Sequence, residues 1–511
     1  MALVLNRDEE PLTRPCQILF VGGRVIDPET GLDAVRNVGV LGGSIAYIGQ
    51  GFPHSNSIVD VTGLVIAPGF IDMHSHAQSP TGLLLQALDG VTTALDLEAG
   101  ALPISVVYER AEAEGRPINF GFSSSWALAR MQVLDAVPLP DARTADPLPE
   151  PIHVFEENQT RARWNTPASE WEVSAILDRV EQGVHEGGIG IGVLLGYSPE
   201  SGREEFFRTA QLAERLGVPA FTHSRQMSNI EPGSSLDGAL EIIGAAAGTG
   251  AALHICHINS TSLQRIDDVG LAVENAQARG NRVTTEAYPY AAGSTGVGAA
   301  FFEPDKLDRL GITTRSIQYL PTGERIASVD RLVELRQTDP GGMCIIDFLD
   351  TDDPTQLAML IRGLTMPGGV IASDSMPLTH GPHRVYNEWP PPEGALTHPR
   401  SAGCFARTLG WLVRELGVLT LMDALARVTS VPASILEDSV PAMRKKGRVQ
   451  VGADADLAIF DPETISDRAT FETLRASTGF RHVVVGGTFV VRDGAAIATS
   501  RPGRAIRSER R

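Results

Sequence analysis

Lysine is nearly missing from this 511-residue chain: only Lys306, Lys445 and Lys446 stand among its 43 basic residues. Whatever bias in the coding DNA produced this, lysine chemistry is removed from most of the sequence. Cysteine is scarce as well. Cys16, Cys256, Cys344 and Cys404 are scattered, form no CxxC pair and offer no disulfide framework. No apolar run reaches about 18 residues, so no membrane span is expected. Met1–Arg14 carries charges where a secretory leader needs an apolar core, and a cytoplasmic location is the expectation. Positive charge is also short, since 62 acidic residues bring the net charge to −19. Like-charge repulsion argues against nonspecific nucleic-acid or anionic-membrane partners. The run GGIGIGVLLG has close glycines but no acidic residue at the distance a dinucleotide site needs. There is no GxSxG elbow for a serine hydrolase.

What is present is a globular composition, 42% hydrophobic and 21% charged, able to bury a core without staples. Eight apolar strand-like runs occupy the middle: GFIDMHSH, TTALDLEA, INFGFSSSW, IGIGVLLGY, PAFTHSR, ALHICHIN, RVTTEAYPY and GVIASDSMP. Helical stretches such as Ala168–Glu186 and Ser262–Arg279 lie between most of them. Strands alternating with helices imply parallel βα units, and eight of them predict an α/β fold with a (β/α)8 TIM-type barrel. Alternating apolar positions with Gly-Gly and Pro punctuation mark short strands near both termini. The expected division is therefore a small β-sandwich domain from residues 1–66 and 437–500, bracketing a barrel over 67–436. Insertions near 131–166 and 301–343 interrupt the barrel rhythm, and insertions of this size usually cover an active site. The arginine-rich tail 501–511 is expected to be a solvated, disordered end.

His74 and His76 close the first barrel strand. Residues i and i+2 of a strand face the same side, so two imidazoles stand together at the barrel mouth. A lone HxH is weak, but this one follows APGF, a turn into a buried strand. Glu98, His223, His257 and Asp374 each end another apolar run, where a buried polar group is costly unless paired or metal-bound. Each alone has a structural explanation as a hydrogen-bonded strand terminus. Together they form the mixed imidazole and carboxylate set that borderline divalent metals prefer, zinc foremost.

On APGFIDMHSH, THSR, CHIN, the ASD aspartate and KGRVQVGADADLAIFDP, the sequence resembles the amidohydrolase superfamily. Within it, the chain is most similar to N-acyl-D-amino-acid deacylases, through EAYPYAAGST (Glu286–Thr295), THSR (Thr222–Arg225), HPRSAGCFAR (His398–Arg407) and IGIGVLLGYSP (Ile189–Pro199). The resemblance implies one or two zinc ions and hydrolysis of an amide-type bond. It implies His74 and His76 on one metal, His223 and His257 on a second, and Asp374 as the acid/base. His254 is the competing ligand and is expected in the core or behind the site.

Two departures stand out. The carboxylated lysine that bridges metals in many superfamily members is excluded, because no barrel strand contains lysine. The deacylases instead carry a cysteine after the second strand. This chain reads GVTTALDLEAG there, and Glu98 is the best substitute, with Asp96 the weaker choice. Secondly, the lysine that contacts the substrate carboxylate in the deacylases is Asn259 here. Tyr288 and Ser294 remain as carboxylate donors, and Arg225 and Arg400 could supply positive charge. Cys256 is expected to be a small buried hydrophobe facing away from the ligands.

The expected activity is zinc-dependent deacylation of an N-acyl-D-amino acid or related N-acyl compound. A cyclic amidase or deaminase of the same superfamily is the alternative, and a noncatalytic barrel scaffold the more distant one. The expected partner is a small-molecule substrate, and homo-oligomerisation is left open.

Overall fold

In the computed structural model, eight parallel strands follow one another around a barrel. They are β1 (Phe70–Asp72), β2 (Val91–Ala101), β3 (Asn119–Ser125), β4 (Ile191–Leu194), β5 (Ala220–His223), β6 (Leu253–Ile255), β7 (Val283–Ala287) and β8 (Val370–Ile371). Nearly every residue in these runs is buried, as parallel strands covered on both faces must be. The structure describes residues 15–141 and 150–509. Met1–Arg14, read above for a leader, lies outside the described residues, as do 142–149 of the first insertion and the last two arginines. Among the described residues no helix is long and apolar enough to cross a membrane.

The first and last strands meet without a regular ladder. Ser75 and Ser375 form a parallel bridge just beyond them, and the His76 N–H donates to the Ser375 carbonyl at 2.8 Å. Below that bridge, the buried Asp72 carboxylate accepts the Ser373 N–H at 2.9 Å and Gln86 Nε2 at 2.6 Å. One side chain thus fastens the barrel seam.

Both chain ends build one continuous nine-stranded sheet, in which Val65–Pro68 pairs antiparallel with Leu457–Phe460. The sheet folds back over its own core, where Phe20, Val38, Ile45 and Ile66 meet Val449, Ile459 and Val484. Lys446 ties it to the barrel. Its buried Nζ donates to Asp454 at 3.0 Å and Asp456 at 2.7 Å, and Asp456 also accepts Asn119 Nδ2 of β3 at 3.0 Å. Removing one member of a buried charge network strands the others, so Lys446→Met is expected to cost about 3–5 kcal/mol in denaturant unfolding.

The tail corrects the expectation of disorder. Gly503 bridges Arg116, and Ala505 bridges Phe120 on β3 in parallel. Phe120 donates to the Arg504 carbonyl at 3.1 Å and accepts the Ile506 N–H at 2.7 Å. The Ile506 side chain is buried against Leu95, Leu97, Ile189 and Phe221, and Arg507 stacks 4.0 Å from the Tyr108 ring centroid. The reason is backbone accounting: β3 pairs with β4 only at Ser124 and Ser125, so Phe120 needs partners that the tail supplies.

Residues 292–347 form a small layer of four strands, Ala292–Gly296, Ile317–Tyr319, Glu324–Arg325 and Met343–Asp347, with its own apolar cluster around Phe302, Ile317, Leu332 and Cys344. This layer and the helix Pro151–Asn158 stand over the barrel mouth, where Ile152, Phe155, Phe301 and Leu310 line a pocket of about 780 Å³.

Candidate metal centre

His74 and His76 follow β1, Glu98 lies in β2, His223 ends β5, His257 follows β6 and Asp374 follows β8, and the barrel brings all six together, buried. The Nε2 atoms of His74 and His76 face each other at 3.0 Å. Glu98 Oε2 lies 3.2 Å from His74 Nε2 and 3.7 Å from His76 Nε2, whereas its Oε1 lies 2.8 Å from His257 Nε2. Asp374 Oδ1 is 3.4 Å and 3.6 Å from the same two histidine nitrogens. His223 shares a group with Glu98 and His257 whose donor atoms lie within 4.8 Å of one another.

The opposite edge of each ring is occupied. His74 Nδ1 meets Glu286, His76 Nδ1 meets Asp96 at 3.1 Å, His223 Nδ1 meets the Ser224 carbonyl at 3.2 Å, and His257 Nδ1 meets Ser260 Oγ at 2.9 Å. With an ion bound, each Nδ1 would keep its proton for these partners and each Nε2 would present a lone pair inward. Such orientation by outer partners is how metal-binding histidines are held.

Burial disfavours charge on His74 and His76, yet the carboxylates around them overcome it. Asp374, Glu286 and Glu98 hold His74 well above its ordinary value, and Asp96 with Glu98 brings His76 to about 10. Glu98 is in turn held well below the usual carboxylate range against burial by His74 and His257, and Glu286 is lowered by His74 and His254. For His223 burial wins and pushes the ring down to about 4, so it is neutral at pH 7, as a ligand must be. Buried carboxylates packed among inward imidazole nitrogens call for cationic charge. A divalent ion could supply it, and the nitrogen and oxygen donor set suits zinc. His257 (φ 29°) and Asp374 (φ 50°) also hold left-handed backbone angles, strain of the kind found at functional sites.

His76, Glu98, His223, His257, Tyr288, Ser294 and Asp374 line the pocket. Arg225, expected to meet substrate, does not. It is buried outside, with Nε 2.9 Å from Glu241 and Nη1 spent on Ser201 and the Pro199 carbonyl. Its charge is neutralised by a helix 16 residues on. Arg400 is buried behind Asp374: Nη2 is 2.7 Å from Oδ2, Nε donates to the Asp374 carbonyl, and the guanidinium lies 4.4 Å from the Tyr288 ring centroid. Arg400 Nη1 and Ser294 Oγ are buried without partners. Asn259 donates to the Tyr288 carbonyl at 3.1 Å, bracing the YPY turn. Cys256 is buried as expected, but its sulfur does not face away: it lies within 4.8 Å of donor atoms of His74 and Glu286. Burial keeps that thiol protonated.

Sequence reasoning missed Glu286, which serves His74 and, at 3.2 Å, His254 Nε2. It also underrated Asp96. Glu286 opens the EAYPY match and ends an apolar run, the signal that singled out Glu98.

Comparison with known proteins bears out the resemblance. An amidohydrolase family model matches residues 364–491. A D-aminoacylase of Alcaligenes xylosoxydans xylosoxydans is 28% identical, covering 93% of this chain and 94% of its own. An N-acyl-D-glutamate deacylase of the same organism is 27% identical over 96% of each. The crystal structure of N-acyl-D-glutamate deacylase from Bordetella bronchiseptica, complexed with zinc and a phosphonate inhibitor, superposes with a TM-score of 0.73 at 22% identity, covering 97% of this chain and all of that one.

Proposed function

We propose that the chain is an amidohydrolase acting on carbon–nitrogen bonds other than peptide bonds, in keeping with the family model and relatives it matches, and that it removes the acyl group from an N-acyl-D-amino acid or related N-acyl compound with the help of zinc. The observation that carries this reading is the convergence of four imidazole groups on Glu98 beneath one pocket. His74, His76, Glu98, His223 and His257 would hold one or two ions. Bound zinc supplies polarisation of the scissile carbonyl and a water whose pKa falls toward about 7.

The chain's own residues do the rest. Asp374 takes the proton of the attacking water and delivers it to the leaving nitrogen, the work of a positioned acid/base. Arg400 grips one oxygen of Asp374 and its backbone carbonyl, leaving Oδ1 turned toward the histidines. Tyr288, Ser294 and the free Nη1 of Arg400 orient the substrate carboxylate; Gly293, whose added Cβ would lie 3.3 Å from Tyr288 Oη and 4.0 Å from Arg400 Nη1, keeps that wall open.

Glu98 stands one position before the place where the deacylases carry cysteine, and its two oxygens address different histidines. Glu98→Ala is therefore expected to lower bound zinc by at least half, read by elemental analysis after dialysis. For the activity, N-acetyl-D- and L-amino acids are assayed beside hydantoins and dihydropyrimidines. Turnover of the D-series supports the proposal. Turnover of the cyclic amides alone replaces it with the cyclic-amidase reading.

A further inference from the structure

Resting on the deacylase reading, we infer that Glu156 selects substrates by refusing a second carboxylate. Glu156 sits on the helix Pro151–Asn158, outside the regular βα units, and lines the pocket with its side chain 2% exposed. One oxygen accepts a hydrogen bond from Arg384 of the hairpin Leu378–Val385. The other, Oε1, is buried without a partner. The carboxylate is close enough to His76 for their charges to interact.

The surroundings make this oxygen matter. Among the described residues no arginine or lysine lines the pocket, and the charged groups that do are carboxylates and imidazoles. Arg384 stands behind Glu156, so the anion is the member of the pair that faces the pocket lining. Arg400, buried behind the lining, pairs with Asp374 through Nη2, and its remaining Nη1 is already assigned to the backbone carboxylate of the substrate. Around Glu156 the wall is apolar, from Ile152, Phe155 and Phe301. A second carboxylate on the side chain or the acyl group would lose its water, find hydroxyls but no cation in the lining, and lie beside a carboxylate whose Oε1 accepts no hydrogen bond. The preferred substrate therefore carries one carboxylate, on the amino-acid backbone, with an apolar side chain and acyl group.

The test compares kcat/KM of the zinc-loaded enzyme on N-acetyl-D-leucine, N-acetyl-D-glutamate and N-succinyl-D-leucine. The wild type is expected to favour the leucine substrate over both dicarboxylates by about 100-fold. Glu156→Gln and the double variant Glu156→Gln/Arg384→Gln are each expected to cut that preference by at least roughly tenfold. The double variant removes both members of the ion pair, so it guards against a fold lost to an unpaired arginine; Glu150, the other buried carboxyl group beside Arg384, is pushed up to about 7 by burial and can take up a proton. A preference unchanged in the double variant overturns the inference. So does a fall confined to the single variant, which would be the work of a freed Arg384. Equal wild-type turnover of all three substrates contradicts the inference alone. Turnover of none of them contradicts the deacylase reading and this inference with it.

Discussion

Replacing Asp374 with Asn is expected to lower kcat by about 10³-fold, the middle of the range for loss of a positioned proton carrier. Asn is nearly isosteric and tolerates the left-handed angle at this position (φ 50°), so the backbone need not move. It still accepts from Arg400 through its amide oxygen but cannot take or return a proton. The imidazole and Glu98 donors are untouched, so zinc content should match the wild type. KM should change little, because the lost interaction belongs to the transition state. Steady-state kinetics beside elemental analysis check this, and near-normal turnover would remove Asp374 from its role.

Truncation after Ser500 is expected to destabilise the protein by about 4–6 kcal/mol, in spite of the tail's polar composition. Burial of a side chain such as Ile506 contributes about 2 kcal/mol. The tail's backbone bonds to Arg116, Phe120 and Gly187 contribute roughly 1 kcal/mol each. Without them the Phe120 N–H and C=O face no partner beside a buried strand. The Tyr108 hydroxyl, which donates to the Ile506 carbonyl at 2.5 Å, loses that acceptor too and keeps only the Phe122 N–H. Denaturant midpoints of the full-length and truncated chains measure the effect. Ile506→Ala alone should recover about half of it.

The barrel was legible because parallel strands leave apolar runs that turn polar at one end. All eight runs became β1–β8, and the residues read from their ends, His74 to Asp374, meet in space. Less visible were interactions with no fixed spacing. Glu286 and Asp96 act by touching the far edge of a histidine, which no periodicity records. Arg225 looked available because Glu241, its partner, lies on the following helix. In the tail, five arginines outweighed one isoleucine by composition, yet the isoleucine and a few backbone bonds decide its position. Asn259 was visible as an uncharged residue, but its grip on the Tyr288 carbonyl required the fold. Glu156, within an insertion whose rhythm is irregular, carried no signal at all.

The central claim is that zinc binds at the barrel mouth through imidazole nitrogen and carboxylate oxygen, without the deacylases' thiolate. Zinc K-edge X-ray absorption on the purified protein tests it most directly. The account predicts a first shell of nitrogen and oxygen near about 2.0–2.2 Å, histidine outer-shell scattering, and weakening of that scattering per protein in His74→Ala. Sulfur scattering near about 2.3 Å, which would bring Cys256 into the shell, contradicts it. So does a dialysed protein that retains no metal.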